Sequence, residues 1–293
     1  MTSWASISSP QSGHSILRGE GHSSVHSIPQ QRYVIRSQMR TVFATPSTQS
    51  ALSQTMHKPG RSTHRSPTGL LGRVIDGANQ TAFPGFVDPC CPTPRKEPPA
   101  GDGWLHEIKH DGYRAQAQVT DGAVRIFTRR GFDWAARMPT IAAAVSALPV
   151  KSVILDGELV AVDAKGQPVF YELPAAITAR PTRVTARLIY YAFDLLYLDG
   201  CDLRDVPLVV RKGLLEALLH NARGLQLIKY VEHLDGYGAL MLEHVCKLKL
   251  EGIVSKRADA PYRSGKRPEW IKTKCPAWRE ANRDRFEKLE KSR

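Results

Sequence analysis

The sequence predicts an α+β fold beginning near residue 84, on two observations. Short apolar runs bounded by Asp-Gly pairs read as strands, and three stretches among the later runs carry apolar residues at helical spacing. Antiparallel sheets with packed helices are therefore expected. Ahead of them, residues 1–83 predict a disordered basic arm. That segment is rich in Ser, Gln, His, Thr and Arg, has only Glu20 and Asp76 as acids, and sustains no helical or alternating apolar pattern. Arg18, Arg32, Arg36 and Arg40 match organellar transit composition, but no amphipathic helix accompanies them, so organellar targeting is not expected. Two plainer readings are a flexible arm adding nonspecific phosphate affinity and an extension upstream of a start at Met39 or Met56. The Pro-rich stretch from Pro84 to Pro99 keeps the chain extended on its approach to a core expected to start near Trp104.

Residues 104–109 and 113–119 flank Asp111-Gly112, and 123–128 follows Asp121-Gly122, which together predict an antiparallel meander. Further strands are predicted at 152–162, 188–198, 226–231, 251–256 and 269–274. Helices are predicted at 139–147, 208–221 and 236–249, the second carrying Leu214, Leu215, Leu218 and Leu219 on one side. After Lys274 the alternating Arg, Glu and Lys of residues 276–293 predict one charged terminal helix.

The composition narrows the function classes. The 293 residues are 42% hydrophobic, enough for a buried core, and carry a formal net charge of +13, which points to an anionic partner such as nucleic acid. Apolar runs are broken by charges within about ten residues, too soon to span a bilayer, so the chain reads as soluble. Cys90, Cys91, Cys201, Cys246 and Cys275 lack the Cys-x-x-Cys spacing of a zinc site. Their odd number suits a reducing compartment, with buried or inert thiols expected. No pair of histidines has metal-ligand spacing.

The most specific local feature is Glu107-Ile108-Lys109-His110-Asp111-Gly112-Tyr113-Arg114. Alone it also reads as a solvated strand end beside a tight turn. Five segments follow in order: Thr128-Arg129-Arg130-Gly131, Asp156-Gly157-Glu158, Tyr191-Ala192-Phe193-Asp194, Glu251-Gly252-Ile253-Val254-Ser255-Lys256 and Trp270-Ile271-Lys272-Thr273-Lys274. With this set the chain resembles the covalent nucleotidyltransferases, which comprise ATP-dependent DNA ligases, RNA ligases and mRNA capping enzymes. It is most similar to the ligase domain of bacterial end-joining ligases, through Trp104 to Arg114 and Tyr262-Arg263-Ser264-Gly265. The resemblance covers residues 84–275 and implies an ATP-grasp-like ligase adenylation domain.

The resemblance implies a role for each matched residue. Lys109 would be the nucleophile that takes AMP from ATP. A lysine attacks only when unprotonated, and Lys272 and Lys274, two apart on a strand and so on one face, would depress its pKa and offset charge on the α-phosphate. Glu107 would read the exocyclic amine of adenine, favouring ATP over GTP because an ionised carboxylate only accepts hydrogen bonds. Phe193 would stack on the base, Arg114 and Glu158 would contact the ribose, and Arg129 would hold the 5′-phosphate of a DNA break. Glu251 would anchor Mg²⁺, and Lys256 would contact a phosphate. Without the resemblance, these same residues read as surface charges, a basic edge and a core aromatic.

The implied function is ATP-dependent sealing of nicked or broken DNA in repair or recombination, in a cytoplasmic, nucleoid-associated setting. Rivals are an RNA ligase or capping-type enzyme, which Glu107 disfavours for GTP, and a nucleic-acid-binding remnant without turnover. Complete ligases of the family follow the adenylation domain with an OB-fold. Arg293 lies only 19 residues after Lys274, so no C-terminal OB-fold is expected, and slow self-adenylation and poor sealing are expected unless a separate OB-fold or end-joining partner supplies it.

Overall fold

The computed structural model describes residues 75–178, 186–222 and 226–283. Two sheets form its body. One has seven strands: β1 (Asn79–Gln80), β4 (Tyr113–Thr120), β5 (Ala123–Thr128), β6 (Val153–Val162), β7 (Arg187–Leu198), β8 (Cys201–Asp202) and β9 (Ile228–Tyr230). Its order is β1-β8-β7-β6-β4-β5, with β9 also paired to β7. The other, ordered β10-β3-β11-β12-β2, comprises β2 (Cys90–Pro94), β3 (Trp104–Ile108), β10 (His233–Asp235), β11 (Gly252–Arg257) and β12 (Gly265–Lys274). The helices are α1 (Pro139–Ser146), α2 (Leu173–Thr178), α3 (Leu208–Asn221), α4 (Gly238–Lys247) and α5 (Pro276–Ala281). The predicted α+β class holds, and the helices over 139–147, 208–221 and 236–249 appear within two residues of their expected ends.

The expected meander is wrong at its first turn. Asp121 and Gly122, both at positive φ, do close the β4–β5 hairpin. Asp111-Gly112 closes none, because β3 pairs with β10 and β11 in one sheet while β4 pairs with β5 and β6 in the other. The segment is a crossover between sheets, and Gly112 lets it pass against β6, where a Cβ would lie 2.1 Å from the Leu159 carbonyl oxygen. Nor are the sheets wholly antiparallel. β2 joins β12 and β9 joins β7 in parallel register. Each arrives by a long connection rather than a hairpin.

Ordered structure also starts earlier than expected. Asn79 and Gln80, assigned to the arm, pair with β8, and Ala78 is buried. The Pro-rich stretch, expected to be a mere approach, is docked: Gln116 accepts from the Val87 N–H at 3.0 Å and donates to the Val87 carbonyl at 2.9 Å. The rest of the predicted arm, residues 1–74, and residues 284–293 of the predicted terminal helix lie outside the described residues.

One core lies behind the seven-stranded sheet, where α3 lays Leu214, Leu215 and Leu218 and α1 lays Ile141 and Val145 against Leu155, Tyr190, Leu195 and Leu198. A second lies between the sheets and holds Phe193, Leu196, Tyr197, Tyr262 and Trp270. Residues of β7 serve both because successive side chains point to opposite faces, and the register shifts in its pairing with β6 change that phase, so that Leu196 and Tyr197, though adjacent, join the same core. Outside the five-stranded sheet, Val245 of α4 packs on Ile253.

Cys246 of α4 is disulfide-bonded to Cys275, against the expectation of unpaired thiols. Folding brings together cysteines 29 residues apart, a separation that carries no signature in the sequence. Cys90, Cys91 and Cys201 are free, and burial pushes the Cys90 thiol up to about 12, leaving it inert. No described helix is long and apolar enough to cross a membrane.

Asp194 and Arg211 are both fully buried and doubly hydrogen-bonded, at 2.7 and 2.9 Å, which ties α3 to β7. Arg211→Leu leaves Asp194 as an uncompensated buried charge and is expected to cost about 3–5 kcal/mol in denaturant unfolding. Removing the disulfide with Cys246→Ser is expected to lower stability by about 2–4 kcal/mol in the same assay.

Candidate active site

Three strands present alternate residues on the face that meets the larger sheet. Register aligns Glu107 of β3, Val254 of β11 and Lys272 of β12 in one row, and Leu105, Lys256 and Trp270 in the next. A third row is headed by Lys109, whose N–H donates to the Gly252 carbonyl at 2.9 Å, with Gly252 paired to Lys274. Side chains two apart on a strand share a face, so Glu107 with Lys109 and Lys272 with Lys274 are gathered by pleating alone.

Glu251 sits at the head of β11 between two lysines. Its Oε2 accepts from Lys109 Nζ at 2.7 Å and its Oε1 pairs with Lys274 Nζ at 2.8 Å. The Lys109 side chain is 22% exposed and that of Glu251 only 3%, so the amine is reachable while its counter-charge is enclosed. Lys272 is half-buried. Desolvation, then the charges of Lys109, Lys274 and Arg129, hold its ammonium below the usual lysine range. Gly252 makes the crowding possible: its φ is +150°, and a Cβ there would fall 2.1 Å from the Thr273 carbonyl oxygen.

Glu107, two residues before Lys109, is buried between two further lysines. Lys212 of α3 donates to its Oε1 at 2.5 Å, and Lys256 pairs with its Oε2 at 2.6 Å. Burial alone would raise this carboxyl, but the two ammonium groups outweigh it and hold the group below the usual carboxylate range. Lys256, lowered to about 8 chiefly by burial, lies 4.3 Å from the Phe193 ring centre and 4.1 Å from that of Trp270. Arg114 stacks on Phe193 at 4.5 Å. Phe193 is thus covered in this state, and a base stacking on it has to displace one of the cations.

Arg114, Arg129 and Glu158 border one pocket of about 480 Å³, together with Gly112, Tyr113 and Thr128. Arg114 makes a bidentate pair with Asp156, both contacts at 2.6 Å, and the Tyr262 hydroxyl donates to the same carboxylate at 2.7 Å. Arg129 is exposed at the end of β5, with one guanidinium nitrogen 3.5 Å from Cys91 Sγ. Glu158 is raised to about 7 by burial, with Glu251 and Asp156 adding repulsion against the pull of Lys109 and Arg114. His110, brought to about 4 mainly by burial, is neutral at physiological pH and stacks on Tyr191 at 4.0 Å.

Nine of the ten residues selected from the sequence gather where the sheets meet, and Arg129 stands exposed at the rim, near enough for its charge to act on Lys272. Sequence reasoning missed Lys212, which lies in a helix with no motif of its own. Asp156 and Tyr262 fall within the motifs with no role implied by the resemblance, although both orient Arg114.

Residues 97–274 match the family model described as ATP dependent DNA ligase domain. The chain is 36% identical over 226 residues to the multifunctional non-homologous end joining protein LigD of Pseudomonas aeruginosa, a match covering 77% of this chain and 26% of that protein. It is also 36% identical over 183 residues to a probable DNA ligase of Beutenbergia cavernae, covering 60% of this chain and 35% of the relative. The chain thus spans about a quarter to a third of the length of these relatives. Among solved structures, mycobacterial DNA ligase D complexed with ATP and MES superposes with a TM-score of 0.54 at 35% identity, covering 64% of this chain and 59% of that one.

Gly252→Ala is expected to destabilise the fold by about 3 kcal/mol or more, since both the backbone angle and the Thr273 carbonyl oppose a side chain. Thermal unfolding followed by circular dichroism reads it.

Proposed function

This chain belongs to the family of ATP-dependent DNA ligase domains, and from that membership we propose that it carries AMP on Lys109 and uses it to seal breaks in DNA. The observation that carries the reading is Glu251 held between Lys109 and Lys274. A lysine nucleophile needs a fixed position and a route for its proton, and the Glu251 carboxylate 2.7 Å away supplies both.

In the first step the Lys109 nitrogen attacks the α-phosphorus of ATP. A phosphorus–nitrogen bond forms, pyrophosphate leaves, and the amine loses a proton. Lys272 and Lys274 offset charge on the α-phosphate oxygens, an electrostatic contribution made before the reaction begins. In the second step an oxygen of a DNA 5′-phosphate displaces Lys109 from the adenylate. In the third, the 3′-hydroxyl attacks that 5′-phosphorus, the phosphodiester forms and AMP departs. Arg129, exposed at the pocket's rim, suits the 5′-phosphate because a guanidinium matches phosphate geometry. Glu107 selects adenine, Phe193 stacks on it once uncovered, Arg114 and Glu158 hold the ribose, and Lys256, on leaving the Phe193 ring, reaches a phosphate.

The site suits Mg²⁺. Glu251 and Glu158 are close enough for the charge of Glu251 to help raise Glu158, a repulsion that a divalent cation relieves. Mg²⁺ needs few protein ligands, since phosphate oxygens and waters can complete its shell, so one carboxylate such as Glu251 could hold it. Held by Glu251, the ion would orient the triphosphate and offset charge on the departing pyrophosphate. The end-joining relatives and the basic charge of the chain favour broken DNA in the bacterial cytoplasm as the substrate.

With α-labelled ATP and Mg²⁺, wild-type protein is expected to acquire label that survives denaturation, and Lys109→Ala none. Lys274→Ala is expected to slow labelling by about 10²–10³-fold. Label from GTP in place of ATP would point to capping chemistry, and no label would overturn the reading.

A further inference from the structure

Lys212 lies in a helix outside every matched motif, yet its Nζ is fully buried and bonded at 2.5 Å to Glu107 and at 2.9 Å to the Val231 carbonyl. Glu107 thereby has two lysine partners of different character. Lys256 spans from Glu107 to the faces of Phe193 and Trp270, the position a stacked base requires. Lys212 approaches from α3 on the far side. It is pinned by the Val231 carbonyl and by the Tyr230 ring, whose centre is 4.6 Å from Nζ.

We propose that Lys212 is a specificity-determining, positioning residue that fixes Glu107 as an ionised acceptor for the amino group of adenine while Lys256 withdraws to admit the base. The proposal rests on the ligase reading above and on Glu107 as the base reader. Its physical basis is the change in hydrogen-bonding character of a carboxyl group on protonation. An ionised carboxylate only accepts, which suits adenine's amino group and opposes guanine's carbonyl; a protonated one also donates and accommodates either. Glu107 is buried, and burial favours its neutral form. Once Lys256 moves away, Lys212 is the counter-charge still in contact. Without it Glu107 is pushed towards the neutral acid and free to turn, so selection for adenine falls as well as affinity.

The test is self-adenylation kinetics of the full chain with α-labelled ATP and GTP, comparing wild type, Lys212→Met, Lys212→Arg and Glu107→Gln. Lys212→Met is expected to lower the ATP-to-GTP ratio of kcat/KM by about tenfold or more, with most of the loss in KM for ATP, and Lys212→Arg to keep much of the preference. Because Lys212→Met alone strands a buried carboxylate, the charge-matched double variant Glu107→Gln/Lys212→Met is measured beside Glu107→Gln. The proposal expects those two to share one ratio, since Lys212 acts only through Glu107. A fall in overall rate with the ratio unchanged in Lys212→Met would overturn it, as would a double variant that discriminates differently from Glu107→Gln. If wild type takes no label from ATP, the ligase reading itself fails, and this proposal with it.

Discussion

Two carboxylates buried between lysines set the conditions for the rest of this structure. A charge removed from water without a partner is prohibitively costly, so Glu107 and Glu251 can occupy the junction between the sheets only because ammonium groups meet them there. Those partners come from separate elements: Lys212 from α3, Lys256 from β11, Lys109 from the end of β3 and Lys274 from β12. Satisfying the carboxylates therefore requires α3 and the three inner strands of the smaller sheet to be assembled together. Buried ion pairs of this kind contribute little net stability over an apolar core, and what they confer here is a specified arrangement of charge.

That arrangement explains the spacing of the motifs. Glu107 and Lys109, or Lys272 and Lys274, are two apart because a strand returns to the same face every second residue. Gly112 and Gly252 are required by backbone approach, to β6 and to β12 respectively. Asp156, Tyr262 and Arg114 form a second network that holds the larger sheet to the loop before β12. The two networks meet at Phe193, whose ring carries Arg114 from one and Lys256 from the other. A nucleotide entering the site exchanges these cation contacts for its own base and phosphates.

Much of this was legible in the sequence, for identifiable reasons. Helices α1, α3 and α4 were readable because their apolar residues recur at helical spacing, and β6, β7 and β11 because they are bounded apolar runs. The Asp111-Gly112 turn misled because local turn chemistry looks the same whether the next strand returns to its neighbour or crosses to another sheet. The disulfide and the role of Lys212 were invisible for a related reason. Cys246 meets Cys275, and Lys212 meets Glu107 across 105 residues, only through tertiary packing. The Pro-rich segment was undervalued because extended chain carries no period, although Gln116 anchors it firmly. The matched family supplied what periodicity lacks, namely which of many lysines belong together.

The most direct test of the account is peptide mapping by mass spectrometry after incubation of the protein with ATP and Mg²⁺. Besides the buried Lys212, four lysines, Lys109, Lys256, Lys272 and Lys274, line the junction; Lys109 and Lys274 both pair a partly accessible side chain with the enclosed Glu251 carboxylate, and of the two Lys109 is the proposed nucleophile. The account predicts a single adenylyl group on the peptide containing Lys109. An adenylyl group on any of the other three, or on none, would contradict it.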